Sequence, residues 1–156
     1  MSRPVTNYTI REGSPLEPGV RALIEELDAF NTALYPAESN HFDSPESLAG
    51  TLGVFLVVEQ EGELVGCGAA KNCGQWAELK RMYLKPKARG EGIALAMLVK
   101  LLDWARKEGL AVARLETGNV SVAALKLYRR AGFKEIPAFP PYKPDPLSIF
   151  MERALR

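Results

Sequence analysis

Lys87-Ala88-Arg89-Gly90-Glu91-Gly92-Ile93-Ala94 sets two closely spaced glycines and a basic side chain just before a stretch with helical spacing. The first N–H groups of a helix have no partner within it and its macrodipole is positive there, so such a loop can hold a phosphate. The glycines let the backbone approach the anion closely, and Arg89 could add a charge-assisted contact to a phosphate oxygen. The same residues would also serve as a plain strand-to-helix turn with solvated basic side chains. Two nucleotide-binding patterns fail on spacing. GxxxxGK[ST] is absent, and Leu95 stands where a dinucleotide fingerprint needs its third glycine.

Cys67, Cys73 and the single histidine, His41, fall short of the four N/S ligands of a structural zinc site, so two reduced thiols and no metal are expected. Twenty Lys+Arg against 19 Asp+Glu leave a formal charge of +1, which offers no net attraction to nucleic acid or an anionic membrane. The first residues, MSRPVTNYTIREGSP, carry no apolar signal segment, and no run approaches the roughly 18 apolar residues of a membrane span. A cytoplasmic protein is expected. With 156 residues, 47% of them hydrophobic, residues 1–156 have the size of one domain with a core of its own.

The elements that must position the loop follow from changes of period, and together they read as one mixed α/β unit. Asn7 to Glu12 alternates as a strand, and Val20, Leu23, Ile24, Leu27, Phe30 and Leu34 give Gly19 to Leu34 an amphipathic helical face. Tyr35 to Asp43 is a polar, aromatic loop, and Ser44-Pro45-Glu46 opens a short second helix. Val54 to Gln60 and Leu64 to Lys71 form a hairpin about Glu61-Gly62, and Ala77 to Leu84 adds a third strand that leads into the glycine loop. A long helix runs from Ile93 until Gly109, which suits the left-handed position after its end. Ala111 to Glu116 is a strand, Ser121 caps a helix ending at Ala131-Gly132, and Phe133 to Ile136 is a strand. Five of the 11 prolines fall between Pro137 and Pro146, a loop that precedes a last strand at Leu147 to Glu152.

A second motif, Ala124-Leu125-Lys126-Leu127-Tyr128-Arg129-Arg130-Ala131-Gly132-Phe133, meets AxxLYxxxGF in full. With RMYLKPKARGEGIA, about 30 residues before it, the chain resembles the GNAT family of acyl-CoA-dependent N-acyltransferases; Lys87 stands where Gln or Arg is usual. The resemblance extends over nearly the whole chain, including Leu34 to His41 and Pro141 to Ser148, which look like segments of small, single-domain bacterial members. It implies an α+β fold with a mixed, mostly antiparallel central sheet of about six or seven strands flanked by about four helices.

The resemblance also implies acetyl-CoA as co-substrate and direct acetyl transfer to a primary amine, with no protein nucleophile. The acceptor would be a small molecule or amino acid. A catalytically weak acyl-CoA-binding module, or a transferase acting on a peptide lysine or N-terminus, stays open. By resemblance the pyrophosphate would sit on the amides of Arg89, Gly90, Glu91, Gly92, Ile93 and Ala94. The backbone of Met82, Tyr83 and Leu84 would pair with the pantetheine arm, and an N–H near Met82 or Tyr83 would polarise the acetyl oxygen. Met82 and Leu84 can at the same time be core-facing strand residues.

Tyr128 is the expected general acid, since a phenol of pKa about 10 can protonate a departing thiolate; an aromatic on an apolar helical stripe otherwise belongs to the core. Either Asn119 or Ser121 would contact the cofactor arm, the alternatives being a turn residue and an N-cap. Glu78 is a candidate general base, or else a solvent-facing strand residue paired with Lys80 or Arg81. His41, which titrates near about 6.5 when unperturbed, joins Tyr35, Glu38, Asn40 and Tyr142 as candidates for the acceptor pocket. Cys67, among small residues and without a nearby histidine, reads as packing rather than as an acyl-carrying nucleophile. Both a monomer and a homodimer fit.

Overall fold

The computed structural model describes residues 7–36, 46, 49 and 53–156. Its elements in chain order are β1 (Tyr8–Glu12), α1 (Pro18–Leu34), β2 (Val54–Gln60), β3 (Glu63–Asn72), β4 (Ala77–Leu84), a 3-10 turn at Pro86–Ala88, α2 (Ile93–Lys107), β5 (Val112–Gly118), α3 (Val122–Arg130), β6 (Lys134–Ile136) and β7 (Ser148–Ala154). The short helix expected from Ser44-Pro45-Glu46 lies outside the described residues apart from Glu46 and Ala49, which are helical. The described residues thus hold three α-helices where about four were expected in all.

The strands form one seven-stranded sheet in the order β1-β2-β3-β4-β5-β7-β6. Every neighbouring pair is antiparallel except β4 and β5. Glu61 and Gly62, both at positive φ (52° and 79°), make the two-residue turn between β2 and β3, the backbone form that matches the twist of a hairpin. α1 enters on Pro18, whose missing N–H costs nothing in a first turn, and lays Val20 and Ile24 on Phe55, Val57, Cys67 and Ala69 on one face of the sheet. α2 and α3 cover the other face, where Leu98, Leu101 and Leu102 of α2 are almost wholly buried. Each such side chain stabilises the fold by about 1.5–3 kcal/mol. Gly109 and Gly132 follow α2 and α3 at φ 79° and 91°, the left-handed conformation that ends a helix with least strain in glycine.

One irregularity matters for function. β4 and β5 pair only from Ala77, Glu78 and Leu79 to Ala113, Arg114 and Leu115, and then part. The β3–β4 register slips between Cys67 and Ala69, with Arg81 at φ 54°, so β4 carries a bulge where it leaves β5. Bulges bend and twist the strand that holds them. A non-glycine residue in this region is an uncommon and mildly strained choice.

Candidate functional site

The parting of β4 and β5 opens a cleft of about 720 Å³, within the range of small-molecule sites. Its walls come from β4, the glycine loop, the start of α2, the end of β5, α3, the C-terminal half of α1 and Tyr142. Lys85 donates from its amide to the Val65 carbonyl (2.8 Å), and Tyr83 is the cross-strand partner of Cys67. Strand alternation then turns the peptide groups of Met82 and Leu84 away from β3, toward the cleft, while the Tyr83 amide faces β3. The Leu84 carbonyl accepts from Arg89 Nε (2.9 Å), which ties the glycine loop to the strand. What stays open on this edge is a short row of donors and acceptors of the kind an extended chain pairs with.

At the end of that edge, Gly90 and Gly92 take positive φ (85° and 81°), and Gly92 is the N-cap of α2. A Cβ on Gly92 would meet nothing within 4 Å, so its backbone faces open space. The first-turn amides of Ile93, Ala94 and Leu95 have no partner within the helix. Gly90, Gly92, Ile93 and Ala94 line the cleft, and this glycine cradle fits an anion such as a pyrophosphate. Arg89 lines it too, its guanidinium 5.9 Å from the centre of the Tyr83 ring. Glu91 does not; its carboxylate accepts from Gln60 Nε2 at 3.1 Å. Lys87, at the position where the motif varies, pairs instead with Glu63.

Tyr128 lies on the α3 wall, 6% exposed, with its ring edge against Phe133 at 5.8 Å. Burial, with a smaller contribution from the negative charge of Glu116, pushes its phenol well above the usual tyrosine value. It therefore keeps its proton at neutral pH. Glu116 also lines the cleft; it is the last residue of the strand expected from the sequence, and the alternation there gave it no functional sign.

Glu78 is 3% exposed on β4 and accepts a hydrogen bond from the Tyr142 hydroxyl. This corrects the solvent-facing alternative: Arg81 turns to Asp28 of α1, and Glu78 is in the cleft wall beneath the proline-rich loop. Tyr35 is buried, its hydroxyl sharing a hydrogen bond with Ser121 Oγ (2.9 Å) and accepting from the Val120 amide (3.1 Å). Ser121 precedes α3 as expected, but its side chain makes no capping bond and is engaged with Tyr35 instead. Ser121 lines the cleft, whereas Asn119 is exposed and off its wall, with its amide bonded to the Leu147 carbonyl (2.9 Å). Glu38, Asn40 and His41 lie outside the described residues.

Cys67 is fully buried behind β4 and donates from its thiol to the Arg81 carbonyl (3.3 Å). Burial pushes the thiol up to about 12, which leaves no thiolate to attack anything at neutral pH. Cys73 is unbridged as well. Among the described residues there is no cluster of three or more His, Cys, Asp or Glu placed to hold a metal, and no helix long and apolar enough to cross a membrane.

Residues 20–133 match the model of the acetyltransferase (GNAT) family. An IAA acetyltransferase of Azospirillum brasilense is 46% identical over 96% of this chain and 99% of its own. A crystal structure from Klebsiella pneumoniae, of a protein assigned as an acyl-CoA N-acyltransferase, superposes with a TM-score of 0.81 at 37% identity, covering 96% of this chain and 98% of that one. The PaiA N-acetyltransferase of Thermoplasma acidophilum, solved in complex with coenzyme A, shares the fold at a TM-score of 0.73 and 22% identity, covering 95% of this chain and 99% of its own.

Proposed function

The chain belongs to the GNAT acetyltransferase family, and from that premise we propose that it moves an acetyl group from acetyl-CoA to the primary amine of a small molecule or amino acid. Transfer is direct, in a ternary complex within a single domain in the cytoplasm. The observation that carries this reading is the cleft itself: an unpaired strand edge at Met82 and Leu84 runs from a glycine cradle toward a buried phenol and a buried carboxylate.

Bound acetyl-CoA supplies the thioester whose C–S bond is exchanged for a C–N bond. The chain's own groups do the rest. Backbone amides from Arg89 to Ala94 hold the pyrophosphate, with those of Ile93 and Ala94 at the positive end of α2. The cleft-facing peptide groups of Met82 and the Leu84 amide align the pantetheine arm, and the Met82 N–H is aimed where negative charge develops on the acetyl oxygen. Ser121, rather than Asn119, is the side chain on the cofactor wall. Glu78 accepts the proton lost by the amine, and Tyr128 gives its proton to the departing sulfur. The phenol holds that proton tightly, but a thiolate released into the same desolvated cleft is raised in proton affinity too.

The acceptor enters from the side of α1, where Phe30, Asn31 and Tyr35 line the cleft with Tyr142; Glu38, Asn40 and His41 follow Tyr35 closely in sequence. The test is acetyl-CoA-dependent release of free thiol across a panel of amino acids, polyamines and arylalkylamines, with IAA included because a relative bears that name. Release with at least one amine supports the reading. Acetyl-CoA binding without release from any of them leaves a binding module and overturns it.

A further inference from the structure

Glu78 sits in an unusual setting for a carboxylate. It is central in the sheet, 3% exposed, and flanked across the strands by Lys71 of β3 and Arg114 of β5. Cross-strand neighbours share a face, so either cation could have neutralised it. Neither does. Arg114 donates from Nε to Glu152 (2.8 Å) and lies over the Trp76 ring at 4.6 Å, and Lys71 makes no ion pair among the described residues. The hydrogen bond its carboxylate accepts comes from a residue 64 positions away, the Tyr142 hydroxyl.

Tyr142 is held for that contact. Its ring stands edge-on to Phe139 (5.3 Å) and tilted against Phe150 (5.7 Å), and Phe139 and Phe150 meet edge to face (5.7 Å). Its amide donates to the Phe139 carbonyl (2.9 Å), which closes the turn that presents the ring. A long side chain fixed on three sides by rings and backbone delivers its donor with little further loss of freedom.

We propose that Tyr142 is the positioning residue of the general base: its hydroxyl holds one oxygen of the Glu78 carboxylate and leaves the second turned toward the incoming amine. The inference rests on the reading of Glu78 as base, and it departs from a direct acceptor-binding role for Tyr142.

Tyr142→Phe keeps the ring cluster and deletes only the donor. The assay uses acetyl-CoA and the amine with the greatest turnover in the panel above. Expected are a fall in kcat/KM of about tenfold to a hundredfold, the scale of losing a hydrogen bond to a charged group, carried by kcat, with KM unchanged for acetyl-CoA and for the amine. In a Glu78→Gln background the same change should have almost no effect, because the group it positions is gone. A raised acceptor KM with kcat unchanged, or a loss that persists in Glu78→Gln, overturns the positioning role. Full activity of Glu78→Gln overturns the base itself and so the reading beneath it. An arm that needs no acceptor follows the 13C-carboxyl signal of Glu78, assigned by its loss in Glu78→Gln. Its chemical shift should change in Tyr142→Phe, where the carboxylate loses its hydrogen-bond donor, and an unmoved signal contradicts the proposal.

Discussion

Gly118→Ala should be among the most damaging single-methyl changes in the molecule, and the structure gives its size. A Cβ built on Gly118 would lie 1.8 Å from the Tyr35 hydroxyl oxygen and 1.9 Å from its Cζ, distances at which no small adjustment suffices. Tyr35 must leave its site. It would forfeit the burial of a side chain that is 8% exposed, about 1.5–3 kcal/mol. Its hydrogen bonds with Ser121 Oγ and the Val120 amide would go as well, about 0.5–1.5 kcal/mol each. The sum is roughly 2.5–6 kcal/mol, or on the order of 5–24 °C in Tm for a chain of this size. Equilibrium denaturation in urea measures it. The decisive comparison is a cycle with Tyr35→Ala, because removing the ring removes the collision. Gly118→Ala should then cost within about 0.5 kcal/mol in the Tyr35→Ala background. The reasoning is refuted if Gly118→Ala costs less than about 1 kcal/mol by itself, or if its full cost persists after Tyr35 is truncated.

Four further outcomes follow from the same geometry. Tyr128→Phe should lower kcat by about 10²- to 10⁴-fold while leaving acetyl-CoA affinity unchanged, since only a hydroxyl on the cleft wall is lost; steady-state kinetics with calorimetric binding checks both. Gly92→Ala and Gly109→Ala, at φ 81° and 79° with open space around each, should each cost about 1–2 kcal/mol in urea denaturation. Only Gly92→Ala should also weaken acetyl-CoA binding, by about tenfold, because Gly109 is at the far end of α2. Native protein should give one slow thiol reaction with a disulfide reagent at pH 8, at half-buried Cys73, and the second only on unfolding, since Cys67 is buried with its thiol raised to about 12. The raised Tyr128 phenol stays neutral in the fold while the unfolded chain ionises near pH 10. Stability from this group is therefore full below pH 10 and is lost as pH rises beyond it, and Tyr128→Phe should lose less stability between pH 9 and 11.

The elements were legible because their signals are local. The alternation of Val54 to Gln60, the helical spacing from Ile93, and Gly109 and Gly132 at the helix ends each act within a few residues, and the strands and helices formed where those signals are. The glycine loop and the Tyr128 motif were legible for the same reason. What escaped the sequence depends on contacts between distant segments. Nothing near Arg81 announces a non-glycine bulge, because it is fixed by the misregister with β3 and the ion pair to Asp28, 53 residues earlier. The burial of Glu78 could not be seen along the chain, because Tyr142, 64 residues on, is what folds over it. Ser121 has the residue type of an N-cap, yet a tyrosine 86 residues away takes its hydroxyl. Asn119 and Ser121 could not be ranked by counting along the chain, since only the course of the β5–α3 turn decides which of them reaches the cleft.

The central claim is that the parted strands and the glycine cradle bind an acyl-CoA. Thermal unfolding of the full chain with acetyl-CoA, coenzyme A, NAD and ATP tests it most directly. At 100 times its dissociation constant a ligand stabilises the fold by about 2.7 kcal/mol, on the order of 5–10 °C here. The account predicts that shift with acetyl-CoA and coenzyme A, reduced in Gly92→Ala, and none with NAD. No shift at saturating acetyl-CoA, or an equal one with NAD, would contradict it.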